Sequence, residues 1–363
     1  MMPAAWPRDD PRETRLLHLE PERGGIADRT IGELRALLRE GDLLVVNDAA
    51  TLPASLPGVT ASGAEVEARL TGERGDGTWQ AVLFGAGDWR RRTEERPPPP
   101  ALRAGDVLDF DGLRATVASV DEASPRLVAL DFEARDAALW RALYHAGRPV
   151  QYAHTAGPLA LWQVQTAYAG RPWAAEAPSA GFALTWDLLL ELRRRGVGVA
   201  RVTHAAGLSS TGDGELDARL PLAERYDVAE DAVRAVAAAR KRGGRIVAVG
   251  TTVARALEAA AGAGCGGQRL IAGQGTTELR LGPGTRRGVV DGILTGIHDP
   301  GTSHFALLEA FAPRALLLRA RDFAEAHGYR GHEFGDSMLI LGERHPRPGA
   351  RGVRGAPGGR GGW

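Results

Sequence analysis

Residues 245–258 read RIVAVGTTVARALE, and this stretch decides the fold. Arg245 to Val249 is an apolar, β-branched run of strand length, too short for a helix. Gly250 interrupts it and permits a tight turn. Residues 252–261 then take up a helical composition, with the hydroxyls of Thr251 and Thr252 at its start. A strand that passes through a glycine turn straight into a helix is half of a βαβ unit, the building block of parallel sheets.

The same alternation extends on both sides. Residues 229–242 (AEDAVRAVAAARKR) predict a helix, with acids early and bases late as the macrodipole favours, stopped by Gly243-Gly244. Residues 186–195 (WDLLLELRRR) predict another, ending at Gly196, and 197–202 (VGVARV) a strand that leads to His204. Downstream, residues 303–327 hold one or two helices and 337–341 (SMLIL) a buried strand; near the N-terminus 43–46 (LLVV) reads as a strand of the same sheet. The expected class is α/β, a mostly parallel sheet with flanking helices.

Residues 64–133 differ. AEVEARL, TWQAVLF, DVLDF, LRATVASV and RLVALDF are short alternating segments split by Gly, Asp and Pro, the pattern of an antiparallel β-barrel. The Pro97–Pro100 run is a rigid hairpin tip or linker. The division that follows is an α/β domain from 1–56 and 145–344, a barrel domain inserted at 57–144, and a tail at 345–363. That tail is almost wholly Gly, Arg, Pro and Ala, and is expected to be disordered because it cannot bury apolar area.

Composition narrows the class. Of 363 residues, 44% are hydrophobic and 25% charged, which suits a chain with real cores. Formal net charge is zero, so no global field steers the chain toward nucleic acid or membrane. Lys241 is the sole lysine among 45 basic residues, a coding bias rather than an RNA-binding design. Cys265 stands alone, which excludes a disulfide framework and a cysteine metal site. His298 and His304 flank a turn at Pro300 without a third ligand at metal spacing, so no metal is expected. With no leader-like or membrane-length apolar run, the expectation is a cytoplasmic monomer with no membrane contact.

Small, polar and rigid residues recur at strand ends, where open α/β sheets hold their ligands. They are Asn47 and Asp48; Gln165, Thr166 and Tyr168; Pro178, Ser179, Ala180 and Gly181; Gly250, Thr251, Thr252 and Arg255; Thr295 and His298; and Asp336 and Met338. Amides exposed at the start of the helix after Gly250 suit a carboxylate or a ribose hydroxyl, or else mark ordinary capping. Asp48 and Asp336 are candidates to orient a ribose or move a proton, or are turn residues. His204 and His298 are candidate acids or bases, or satisfied structural histidines.

In their order these segments resemble the S-adenosylmethionine:tRNA ribosyltransferase-isomerase family of queuosine biosynthesis. The shared pattern runs Asn-Asp with a following Pro-Ala (Pro53-Ala54), Gln-Thr-x-Tyr-Ala, Ala-Pro-x-Ala-Gly, the strand ending at His204, Val-Gly-Thr-Thr with Arg255 and Leu257-Glu258, Leu-Thr-x-x-His-x-Pro, and Gly-Asp-x-Met-Leu-Ile. It spans residues 15–340. The resemblance implies an α/β domain with an inserted barrel and S-adenosylmethionine as co-substrate, without a metal. It implies transfer of the ribosyl part to the aminomethyl group of a 7-deazaguanine in tRNA. The ribose rearranges to an epoxycyclopentanediol, and adenine and methionine leave. The sulfonium acidifies the ribose C5′ proton, so a base can form an ylide that expels adenine. Asp48, His204, His298 and Asp336 are then the candidates for the chemistry. Asn47, Gln165, Thr166, Tyr168, Pro178, Ser179, Ala180, Gly181, Gly250, Thr251, Thr252, Arg255, Thr295 and Met338 are the candidates for binding.

The chain also departs from the pattern. Ala49-Ala50 stand where family members carry Thr-Arg, Phe182-Ala183-Leu184 where they carry Leu-His-Phe, and Leu220 and Leu222 near a usual histidine pair. Loss of polar groups at Ala50, Ala183 and Leu222 predicts a weaker grip on tRNA. Two further readings therefore stand beside tRNA modification: a paralogue acting on a small-molecule acceptor, and a non-catalytic binding protein on the same scaffold.

Overall fold

A computed structural model describes residues 1–262 and 269–342; the expected tail and Cys265 lie outside the described residues. A nine-stranded sheet carries the α/β part, in the order Gly273–Thr277, Glu224–Val228, Gly198–His204, Leu43–Asn47, Ile246–Val249, Gly292–Gly296, Ser337–Ile340, Arg15–Glu20, Gly25–Thr30. Its four central strands, from Gly198–His204 to Gly292–Gly296, run parallel. Ser337–Ile340 is antiparallel to Gly292–Gly296 but parallel to Arg15–Glu20, and both edges close with antiparallel strand pairs.

The central strands are buried on both faces, as a covered parallel sheet requires. Alternate residues feed opposite cores. Leu17, Val45 and Ala248 join Val253, Leu257 and Leu316 on one face, while Leu16, Val46 and Val247 join Leu189 and Leu192 on the other. The helix Glu230–Arg242 has Glu230 and Asp231 in its first turn, three bases in its last, and Gly243 at φ 82° as its left-handed cap. Where one or two helices were expected within 303–327 there are two, Ser303–Leu308 and Arg314–Ala326.

The inserted part is a closed antiparallel barrel of six strands. Five are those legible in the sequence; the sixth, Ser55–Thr60, contains Pro57 and Gly58. Gly58 is required there, since a Cβ would come within 2.5 Å of Asp109 O and the Phe110 ring. Trp79, Phe110 and Phe132 pack together in the barrel's hydrophobic core, while Phe84, on the opposite face of its strand, lies under the guanidinium groups of Arg69, Arg96 and Arg126. Glu67, buried, accepts from Arg69 Nε at 2.8 Å and Arg96 Nη1 at 2.5 Å. The Pro97–Pro100 run is an irregular connection between Trp79–Phe84 and Val107–Phe110.

Candidate active site at the carboxyl edge of the sheet

Parallel strands bring their carboxyl ends to one edge, and Ser337–Ile340, running the other way, starts there. Asn47, His204, Gly250, Thr295 and Asp336 therefore converge although they lie far apart in the chain. Asn47 ties the edge together. Its Oδ1 accepts from the amides of Ala49 and His204, and its Nδ2 donates to His204 O at 2.9 Å and to Thr252 Oγ1 at 3.4 Å.

Gly250 adopts φ 90°, and its amide donates to Leu294 O at 2.8 Å. The helix Thr251–Ala260 that follows has no side-chain cap, so its first amides lack an intrahelical or capping acceptor. The Ser179–Gly181 turn closes over this point, with Ala180 Cβ 3.4 Å from where a Cβ on Gly250 would stand. Gly181 is needed where it stands, because a Cβ would come within 2.1 Å of Tyr168 Oη and 3.0 Å of Thr166 Cγ2. The Gln165–Tyr168 and Pro178–Gly181 segments are thus packed together beside Gly250. Thr166 Oγ1 is buried with no hydrogen-bond partner among the described residues, while both ends of the Gln165 amide clamp the backbone of Thr51. Burial raises the Tyr168 hydroxyl above its ordinary value.

The charged centre lies next to Asn47. His204 is fully buried, and neither ring nitrogen makes a hydrogen bond among the described residues. Its Nε2 lies 3.4 Å from Glu224 Oε2, which also receives Arg255 Nη2; Glu224 Oε1 accepts from the Gly207 amide at 2.7 Å. Burial, then the Arg255 charge, holds the His204 imidazole well below its usual range, so it is neutral at neutral pH. Burial pushes Glu224 up, against the opposing pull of Arg255. Sequence reading missed Glu224. Its only signal is a glutamate opening the alternating strand that pairs with the one ending at His204.

The remaining candidates divide. Thr295 Oγ1 and His298 Nε2 are 2.9 Å apart, and His298 stacks on His304 at 4.9 Å. Burial keeps both rings neutral, lowering His298 well below its usual range and His304 to about 4. Asp48 accepts from Thr203 Oγ1 at 2.5 Å, with Arg201 Nε 3.6 Å away. Asp336 is nearly filled by structural contacts: Arg8 Nη2 and the amides of Arg15 and Arg330. Met338 lies in the core, opposite Thr295 in the sheet. Ala183 is buried in the sheet's core and Leu222 packs on the barrel core, so packing accounts for their apolar character.

A second polar group adjoins the Ala177–Gly181 segment and was not read from the sequence. Glu176 accepts from Tyr152 Oη, the Ser209 amide and the Ser209 hydroxyl, and burial raises its carboxyl to about 7. His154 Nε2 and Glu333 Oε2 lie 2.7 Å apart, and with His332 they bring possible ligand atoms within 4.8 Å of one another. The folded chain holds the Glu176 proton between its ordinary 4.5 and about 7, where the unfolded chain releases it, so this group makes stability fall as pH rises through that window. Glu176→Gln is expected to remove that fall and to gain on the natural chain by on the order of 1–3 kcal/mol from pH 5 to pH 8. Urea unfolding at both pH values checks it; parallel curves for the two proteins would refute it.

None of the described helices is long and apolar enough to cross a membrane. The family model described as queuosine biosynthesis protein matches residues 2–340. A protein of Anaeromyxobacter dehalogenans strain 2CP-1, named S-adenosylmethionine:tRNA ribosyltransferase-isomerase, is 38% identical over 343 residues, 92% of this chain and 93% of its own. A Thermus thermophilus protein of the same name is 34% identical over 323 residues, covering 87% and 89%. The crystal structure of an S-adenosylmethionine tRNA ribosyltransferase from Thermotoga maritima is 26% identical, with a TM-score of 0.50 over 94% of this chain and 96% of that one. A single match that runs unbroken through both the sheet and the barrel settles the kinship: this chain belongs to the queuosine biosynthesis protein family.

Proposed function

We propose that the chain is an S-adenosylmethionine:tRNA ribosyltransferase-isomerase, moving the ribosyl part of S-adenosylmethionine onto the aminomethyl group of a 7-deazaguanine in tRNA. The observation that carries this reading is likeness over nearly the whole chain to relatives bearing that name. It favours tRNA over a small-molecule acceptor, and an enzyme over a mere binding protein.

The carboxyl edge of the sheet suits the chemistry. The open first-turn amides after Gly250, with the hydroxyls of Thr251 and Thr252, offer donors to a carboxylate or to ribose oxygens. Asn47 holds Thr252 and His204 in one frame. Removing the C5′ proton needs a base that is unprotonated at neutral pH, and His204 meets that condition. The Glu224 carboxylate 3.4 Å away would stabilise the imidazolium that forms. His298 and Thr295 are a second proton-handling pair at the same edge.

Adenine release tests the reading. With S-adenosylmethionine and tRNA carrying 7-aminomethyl-7-deazaguanine, free adenine is expected to accumulate in step with acceptor consumed. Unmodified tRNA should give none. Equal adenine release without the modified base would exclude tRNA as the acceptor.

A further inference from the structure

We infer that the cleft between the barrel and the large sheet holds the acceptor base, unstacked from a single-stranded RNA loop, with Trp173 and Arg225 as its stacking platform. This rests on the function proposed above. The cleft has a volume of about 450 Å³ and is lined on the barrel side by Trp79, Trp140 and Arg74, and on the other side by Arg225 and Ala205 together with Trp173, from the short strand Arg171–Ala174 that pairs with Ala49–Thr51. That volume suits one nucleotide.

The walls carry what an unstacked base needs. The Arg225 guanidinium lies over the Trp173 ring at 3.5 Å, and Trp140 meets Trp79 edge-on at 5.8 Å. Indole rings and guanidinium planes are the surfaces on which single-stranded RNA bases stack. Trp79 is buried, and its indole N–H has no acceptor among the described residues. A buried donor left unsatisfied is costly, and a base carbonyl would satisfy it.

Position selects the occupant. Ala205 directly follows His204 and Arg225 directly follows Glu224, so the cleft lies at the same edge of the sheet as the buried charged centre, with Arg225 and Glu224 turned to opposite faces of their strand. Gly250, Thr251 and Thr252 are not among its lining residues, which leaves the cleft to the second substrate rather than to the adenosyl group. The mouth is formed by exposed Glu73, Arg74, Gly75, Ala223 and Thr276, giving access to a base that remains attached to a polymer.

The test titrates an anticodon stem-loop RNA carrying 7-aminomethyl-7-deazaguanine, and separately S-adenosylmethionine, against the full chain and three variants. Trp173→Ala and Arg225→Gln are each expected to weaken hairpin binding about tenfold or more, as loss of a stacking surface does, with S-adenosylmethionine affinity unchanged. Trp173→Phe, which keeps an aromatic face, should stay within about threefold of the natural chain. Arg225→Gln leaves the Trp173 ring in place and gives the answer if Trp173→Ala does not fold. Hairpin binding unaltered in Arg225→Gln and any folded Trp173→Ala, or loss of S-adenosylmethionine binding instead, overturns the assignment. If the natural chain converts modified tRNA while these variants convert it equally well, only the cleft assignment fails. A natural chain that converts no tRNA fails the functional reading itself.

Discussion

Replacing His204 by asparagine is expected to lower kcat for adenine release by about 10²–10⁴-fold, the usual contribution of a positioned acid or base. The reason is local. His204 is fully buried, its ring nitrogens make no hydrogen bond among the described residues, and a carboxylate stands 3.4 Å from Nε2. A structural histidine in such a place would be hydrogen-bonded, since a buried polar atom without a partner costs about 1–3 kcal/mol. Because burial and Arg255 hold its imidazole below the ordinary 6.5, the acid limb that His204 gives the pH profile should lie below that value. Steady-state kinetics of His204→Asn, with its unfolding curve as control, decides the matter. A kcat within a few-fold of the natural chain would remove His204 from the chemistry.

Arg255→Met should destabilise the protein by about 3–5 kcal/mol, because it leaves the Glu224 carboxylate buried without its cation. Adding Glu224→Gln is expected to restore part of the loss, since the double variant no longer buries an unpaired charge. The coupling should exceed about 1 kcal/mol, above the few tenths typical of independent sites. Urea unfolding of the two single variants and the double variant measures it. Additive losses would mean that the two side chains act separately.

Much of the fold was legible because its elements are locally consistent. Residues 229–242 carry period, charge order and a glycine stop together, and the observed helix is Glu230–Arg242. The barrel's five alternating strands declared themselves in the same way. What escaped notice was non-local or pattern-free. Gly273–Thr277 reads GQGTT, an edge strand with no apolar period, and Ser55–Thr60 hides behind a proline and a glycine that the barrel's close approach requires.

The site divides along the same line. Asn47, Gly250, Thr251 and Thr252 were readable as strand-end groups, and the fold brings them to one edge. Gln165, Asp336 and Met338 have the right residue types, yet their visible contacts are to backbone, arginines and core. Glu224 and Glu176 were invisible, since a lone glutamate in sequence gives no hint of burial. Only the pairing of Glu224–Val228 with Gly198–His204 brings Glu224 to His204. Packing also changes the weight of the departures from the family pattern. Ala183 and Leu222 serve hydrophobic clusters, so their apolar character does not argue for a weakened acceptor site.

Nucleoside mass spectrometry reads directly what the chain makes. After incubation with S-adenosylmethionine, tRNA bearing 7-aminomethyl-7-deazaguanine is digested to nucleosides and the modified base is weighed. The 7-aminomethyl nucleoside is expected to disappear and to be replaced by one carrying an added epoxycyclopentanediol, with adenine and methionine released one for each. An unchanged nucleoside from a chain that binds both substrates, or a product bearing a methyl group or an adenosyl group instead, would contradict it.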